Sequence, residues 1–181
     1  MVPPGQGTRP TADRVRQAVF DMLWHAPWAG RAMVEDAGVL DAFAGTGALG
    51  LEAVSRGAAR AVFMERDRAA LTALRANIAA CGAVARCQVL AVDTLAPPPL
   101  APPLGPPLGE ACGLVFLDPP YGQGLVPRAV TALGSAGWLA PGALLVVETG
   151  RDEALDLPAI SLAERAHGAA RVSFWRLAGD G

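Results

Sequence analysis

At 181 residues the chain is long enough for one α/β domain with a full core, and a hydrophobic content of 52% excludes global disorder. No run of 18 apolar residues suggests a membrane-spanning helix. No charged segment leading into an apolar core marks a secretory signal, so a cytoplasmic protein without membrane partners is expected.

All 15 basic residues are Arg, and the formal net charge of −2 lacks the positive excess usual in proteins that grip nucleic acid. Arg in place of Lys, together with 21 Gly and 16 Pro, reads as a coding bias. Glycine and proline content therefore signals neither disorder nor special turns by itself. Cys81, Cys87 and Cys112 are odd in number and lack C-x-x-C spacing, so they are expected to be reduced, mostly buried thiols. His25 and His167 stand alone, and no metal site is expected.

In chain order, residues 1–8 are expected to form a flexible tail. Thr11 suits a helix N-cap and Asp13 the positive first turn that follows. Val15, Ala18, Val19, Met22 and Leu23 repeat at helical spacing as one apolar stripe. Arg14 and Arg16 lie off that stripe. With Arg9 they fit either a solvated face or contacts to RNA phosphate or a carboxylate ligand.

Residues 38–40 read as a buried strand, 48–56 as a helix ended by Gly57, and 60–64 as a second strand. Asp67 is placed to cap a helix carrying Leu71, Leu74, Ile78 and Cys81, with Gly82 as its stop. Residues 88–92 read as a third strand and the Pro-rich stretch 96–109 as an extended surface loop. Strand 114–117, helix 126–133 and strand 143–147 follow, the last ending at Glu148. Residues 160–162 and 172–175 read as a closing antiparallel pair. This alternation gives a doubly wound, mostly parallel α/β sheet.

The chemistry concentrates at strand ends. In Val39-Leu40-Asp41-Ala42-Phe43-Ala44-Gly45-Thr46-Gly47-Ala48-Leu49-Gly50, a strand passes through a glycine turn into a helix. That unit brings bare backbone and a helix N-terminus to a ligand. Gly45, Gly47 and Gly50 fit G-x-G-x-x-G with Glu65 about 20 residues on, as in nicotinamide, flavin and methyl-transfer enzymes alike. Asp41, Glu65 and Asp93 end successive strands and would share one crevice. Asp41 suits a cationic ligand, Glu65 a ribose diol and Asp93 an adenine amine.

Asp118-Pro119-Pro120-Tyr121 is the more specific signal. Two prolines stiffen the backbone, so the Asp118 carboxylate and the Pro119 carbonyl can accept both hydrogens of an exocyclic amine. Tyr121 offers a flat face on which an extruded base can stack.

These stretches resemble the cofactor and amine-site motifs of class I amino-methyltransferases. The string Arg9-Pro10-Thr11-Ala12-Asp13-Arg14-Val15-Arg16, with the closing Arg171-Val172-Ser173-Phe174-Trp175-Arg176, narrows the likeness. It is similar to the bacterial family that methylates guanine 966 of 16S ribosomal RNA at N2.

The resemblance runs from about Arg9 to Trp175 and implies one Rossmann-like domain over residues 9–181, with a seven-stranded sheet. It implies S-adenosylmethionine as cofactor, held by Asp41, Phe43, Gly45, Gly47, Glu65 and Asp93. Asp118, Pro119 and Tyr121 would serve the target base. The partner would be 16S ribosomal RNA in an assembled or partly assembled 30S subunit, met by a monomer. The family's basic hairpin before the Arg-Pro-Thr string is expected upstream of Met1; the alternative is that RNA is met through Arg9, Arg14, Arg16 and a ribosomal protein surface. An adenine-N6 methyltransferase, an NAD(P)-dependent oxidoreductase and a non-catalytic RNA-binding module remain alternatives at this point.

Overall fold

The computed structural model describes residues 10–100 and 110–179. The expected tail and Arg9 lie outside the described residues, as does most of the Pro-rich stretch. Among the described residues, helices and strands alternate as α1 (Pro10–His25), β1 (Gly38–Ala42), α2 (Ala48–Ser55), β2 (Arg60–Glu65), α3 (Arg68–Ala80) and β3 (Cys87–Ala91). They continue as β4 (Cys112–Leu117), α4 (Leu125–Ser135), β5 (Leu139–Gly150), β6 (Ala159–His167) and β7 (Ala170–Leu177).

The strands form one sheet in the order β3-β2-β1-β4-β5-β7-β6. The first five are parallel, and β7 pairs antiparallel with both β5 and β6. Central strands are covered on both faces, which is why they read as unbroken apolar runs. Val15, Val19, Phe20 and Leu23 of α1, Ala53 and Val54 of α2, and Leu74 and Ile78 of α3 cover one face. Val126, Ala129, Val130 and Leu133 of α4 cover the other, with Trp138 fully buried beside them. The expected α1 stripe holds for Val15, Val19 and Leu23. Ala18 and Met22 lie at its half-buried margin, and the wholly buried Phe20 extends it.

Several expectations need correction. Helix α1 starts at Pro10, so Thr11 lies inside it rather than capping it; proline fits a first helical position because its missing N–H has no partner there. Strand β5 begins at Leu139, four residues early, because the register of β4 against β5 shifts between Cys112 and Leu114 and absorbs Pro141 and Gly142. Strand β6 covers nine residues because a half-solvated edge strand needs no apolar run. Of the three thiols, Cys112 is buried and Cys87 half-buried, both pushed up to about 11 by desolvation, while Cys81, expected on the apolar stripe, is exposed at the C-cap of α3.

The first part of the Pro-rich stretch is pinned. The Trp138 indole donates to the Pro98 carbonyl at 2.8 Å, and the Leu100 amide donates to Ala136 at 2.7 Å. On the opposite layer, the Arg56 guanidinium lies 4.9 Å from the Phe20 ring centre and 4.6 Å from that of Trp24. It also pairs with Glu52 at 2.6 Å. Arg16 reaches Asp13 at 3.0 Å and Glu52 at 3.7 Å, so the α1–α2 contact already occupies it. Arg14 stays exposed.

Candidate active site

The winding of the sheet reverses between β1 and β4, which opens a crevice at the carboxyl ends of those strands. The turn after β1 bends through left-handed backbone at Phe43 (φ 75°), Gly45 (φ 54°) and Gly47 (φ 82°). An aromatic residue in that region is strained by roughly 1–3 kcal/mol, and such strain collects at ligand sites. Phe43 lines the pocket described below. The turn is held from α3, where the Asn77 side chain donates to the Thr46 carbonyl at 3.0 Å.

The three glycines differ in what they face. A Cβ on Gly45 would meet open space. A Cβ on Gly47 would meet Leu74 at 2.3 Å, and on Gly50 the Phe63 ring at 2.4 Å. Gly50 thus lets α2 sit close on β2, and a Gly50→Ala variant must displace the ring or the helix. It is expected to cost about 1–3 kcal/mol, roughly 2–10 °C in Tm by scanning calorimetry. An unchanged Tm would mean that the helix moves freely.

Asp41 is 3% exposed and accepts from the Gly50 amide at 2.8 Å, holding the first turn of α2 from behind the pocket wall. Desolvation raises its pKa to about 7, with the Gly50 hydrogen bond opposing and the Glu65 charge adding to the rise. Glu65 stands at the end of β2 as expected. One of its oxygens accepts from the Gly45 amide at 2.8 Å, and the other from the Arg66 and Asp67 amides at 2.7 Å each. Asp67 caps α3 through the Ala70 amide at 2.8 Å. Asp93 caps its own turn through the Leu95 amide at 2.9 Å and pairs with Arg66 at 2.7 Å.

A pocket of about 340 Å³ lies between these strand ends, within the size range of small-molecule sites, on the order of 300–1,000 Å³. Phe43, Glu65, Asp93 and Asp118 all line it, joined by apolar surface from Met64, Val92, Leu95 and Leu125. Gly45 joins them through its bond to Glu65, whereas Gly47 and Asp41 stand behind the wall.

On the β4 side, Pro119 is buried and Tyr121 is 45% exposed. The Tyr121 hydroxyl donates to Glu148 Oε1. The Gly122 amide donates to Glu153 at 2.9 Å, and Gly150 lies beside Tyr121, whose Cβ a side chain there would meet at an ordinary contact distance of 3.7 Å. Segment 118–122 is therefore tied down from the end of β5. Burial, then the Glu148 hydrogen bond and charge, keep Tyr121 protonated well above its ordinary range.

Asp118 is open toward the pocket, yet enough protein surrounds it to strip solvent from its carboxylate. That desolvation, reinforced by the Glu148 and Asp41 charges, lifts its pKa well above the usual carboxylate range. Glu148 and Glu153 were not among the expected site residues. Glu148 carried the signal that marked Asp41, Glu65 and Asp93: an acid at a strand end.

Carboxylates crowd this crevice, and Arg66 is the cation that lines it. Such a donor set fits a ligand carrying positive charge, a sugar diol and a flat apolar ring, as S-adenosylmethionine does. Glu65 would hold the diol and Phe43 and Leu95 the ring, and the nearby carboxylates favour the cationic end.

The family described as conserved hypothetical protein 95 matches residues 1–176. Ribosomal RNA small subunit methyltransferase D of Escherichia coli strain K12 is 41% identical over 148 residues, covering 82% of this chain and 67% of that protein. The solved structure of the putative methyltransferase yhhF from Escherichia coli is 33% identical with a TM-score of 0.78, over 99% of this chain and 92% of that one. An RNA methyltransferase from Salinibacter ruber, solved with S-adenosyl-L-homocysteine, shares the fold at 17% identity and a TM-score of 0.64, over 96% of each chain. This chain therefore belongs to the family of the ribosomal RNA small subunit methyltransferase D proteins, class I methyltransferases that use S-adenosylmethionine.

Proposed function

We propose that this chain methylates the exocyclic N2 of a guanine in small-subunit ribosomal RNA. The observation that carries this reading is the placement of Asp118 on the same pocket as Glu65 and Phe43. An amine acceptor and a cofactor site then face one another across a single crevice. The cofactor supplies a methyl group on a positively charged sulfur. The residues of this chain supply alignment.

Asp118 and the Pro119 carbonyl accept the two hydrogens of the amine and turn its nitrogen toward the methyl carbon, while Tyr121 stacks on the base. With the cofactor bound, the nitrogen so held would take its methyl group as the sulfur leaves, and the proton given up by the amine would pass to solvent. A guanine amine is a weak nucleophile, so holding the reacting atoms in line is the main task.

On the cofactor side, Glu65 takes the ribose hydroxyls, Asp93 the adenine amine, and Gly45 presents bare backbone, while Gly47 lets the turn pack against Leu74. Asp41 acts through the turn that it anchors. With a net charge of −2 the chain brings few phosphate contacts of its own, which favours an assembled or partly assembled 30S particle over naked RNA as substrate. No helix among the described residues is long and apolar enough to cross a membrane.

Mass mapping of small-subunit ribosomal RNA from a deletion strain tests the reading. One N2-methylguanine should vanish and return on complementation; an unchanged map rejects the proposal. Calorimetry gives a second test. Glu65→Ala is expected to weaken S-adenosylhomocysteine binding by roughly 10- to 100-fold, as loss of a charge-assisted hydrogen-bond pair does. Unchanged affinity would remove Glu65 from the site.

A further inference from the structure

We propose that Glu148 reads the N1–H of the target base and thereby selects guanine over purines whose N1 carries no hydrogen; this rests on the guanine-N2 reading above. The placement comes from the sheet. Strands β4 and β5 run parallel with Leu117 opposite Val147, and Asp118 and Glu148 are the next residues on each. Adjacent strands lie about 4.8 Å apart. Alternation puts Glu148 on the sheet face of Val146, and Asp118 is the first residue past the end of β4 beside it. Two carboxylates thus stand side by side at the edge where the amine is received.

The hydrogen bonds point the same way. Glu148 Oε1 accepts from the Tyr121 hydroxyl, which orients the carboxylate. Among the described residues, Oε2 accepts no hydrogen bond and no Arg pairs with the group. One oxygen is fixed and the other is left for a donor.

The chemistry of the base supplies that donor. Along its Watson–Crick edge guanine presents N1–H next to the two hydrogens of N2, three donors in a row. Asp118 and the Pro119 carbonyl take two of them, and the third needs an acceptor alongside. Adenine presents its amine beside a bare N1, whose lone pair a carboxylate would repel. Asp118-Pro119-Pro120-Tyr121 alone grips either amine, so the acid on the neighbouring strand is what distinguishes the two bases. Sites built to hydrogen-bond a donor reject analogues lacking it far better than apolar pockets reject a changed shape.

The test replaces the mapped guanine in reconstituted small subunits with 2,6-diaminopurine, which keeps the 2-amine but has no hydrogen on N1. Single-turnover methyl transfer from labelled S-adenosylmethionine is then compared. The wild type is expected to prefer guanine by about 10- to 100-fold. Equal rates on the two bases would overturn the proposal without any variant.

In Glu148→Gln the amide N–H can donate to the bare N1, so the preference should shrink at least tenfold while S-adenosylhomocysteine affinity holds. If both rates fall by the same factor, Glu148 only steadies Tyr121 and the proposal is wrong. Tyr121→Phe removes the hydroxyl and keeps the carboxylate, so it should retain more of the preference than Glu148→Gln; the reverse order would also overturn the proposal. A wild type that leaves the guanine control unmethylated at N2 would instead overturn the underlying reading, which the control alone reveals.

Discussion

Asp118→Ala is expected to lower kcat by about 10²- to 10³-fold while leaving S-adenosylhomocysteine affinity within roughly threefold. Alignment of a weak nucleophile is worth that much when one of its two anchors is lost, and the residue serves the base more than the cofactor. The pH profile gives the sharper test. The carboxylate offers the amine an acceptor whichever oxygen faces it, whereas the protonated acid can turn its O–H toward the amine, and desolvation with the Glu148 charge raises its pKa. Protonation as the pH falls therefore weakens its hold on the amine, and kcat/KM should drop on the acid side with an apparent pKa well above the ordinary carboxylate value. Asp118→Asn still offers an amide oxygen, so it should keep partial activity and lose that acid limb. If Asn is as inactive as Ala, the negative charge itself matters and alignment alone does not explain the site.

The order of elements was legible because strands covered on both faces must be apolar throughout, and each ended in a residue that is costly to bury. That logic gave Glu65, Asp93 and Asp118 their common pocket. It did not reveal which way Asp41 faces. The pleat sets Asp41 on the face of Val39, toward α2, so its carboxylate meets the Gly50 amide instead of lining the pocket. The Tyr121–Glu148 bond spans 27 residues and arises only because β4 and β5 are neighbours. No local pattern encodes such a partner. The left-handed turn at Phe43 was equally hidden, since nothing about an aromatic side chain announces that backbone. Strand β6 escaped its full length because an edge strand such as this one can be paired through its backbone and still be exposed at five of its nine positions.

Asp41→Asn is expected to stabilise the cofactor-free protein at alkaline pH and to flatten its dependence on pH. Asp41 is 3% exposed, and burial raises its pKa from 3.8 to about 7. Between those values the folded chain holds a proton that the unfolded chain releases. Stability contributed by this group is thus greatest below pH 4, falls as the pH rises through the window, and is level above about 7. At 1.36 kcal/mol per unit the full swing is about 4 kcal/mol. An asparagine oxygen can accept from the Gly50 amide without carrying charge, so the variant should escape the swing. Asp41→Ala instead leaves that amide unpaired and should be destabilised by about 1–3 kcal/mol relative to Asn at every pH. Denaturant melts of wild type and both variants at pH 4.5, 6 and 8 separate the two effects, because other titrating groups cancel in the differences. A constant gap between wild type and Asn across that range would mean that the aspartate is as well solvated as one on the surface.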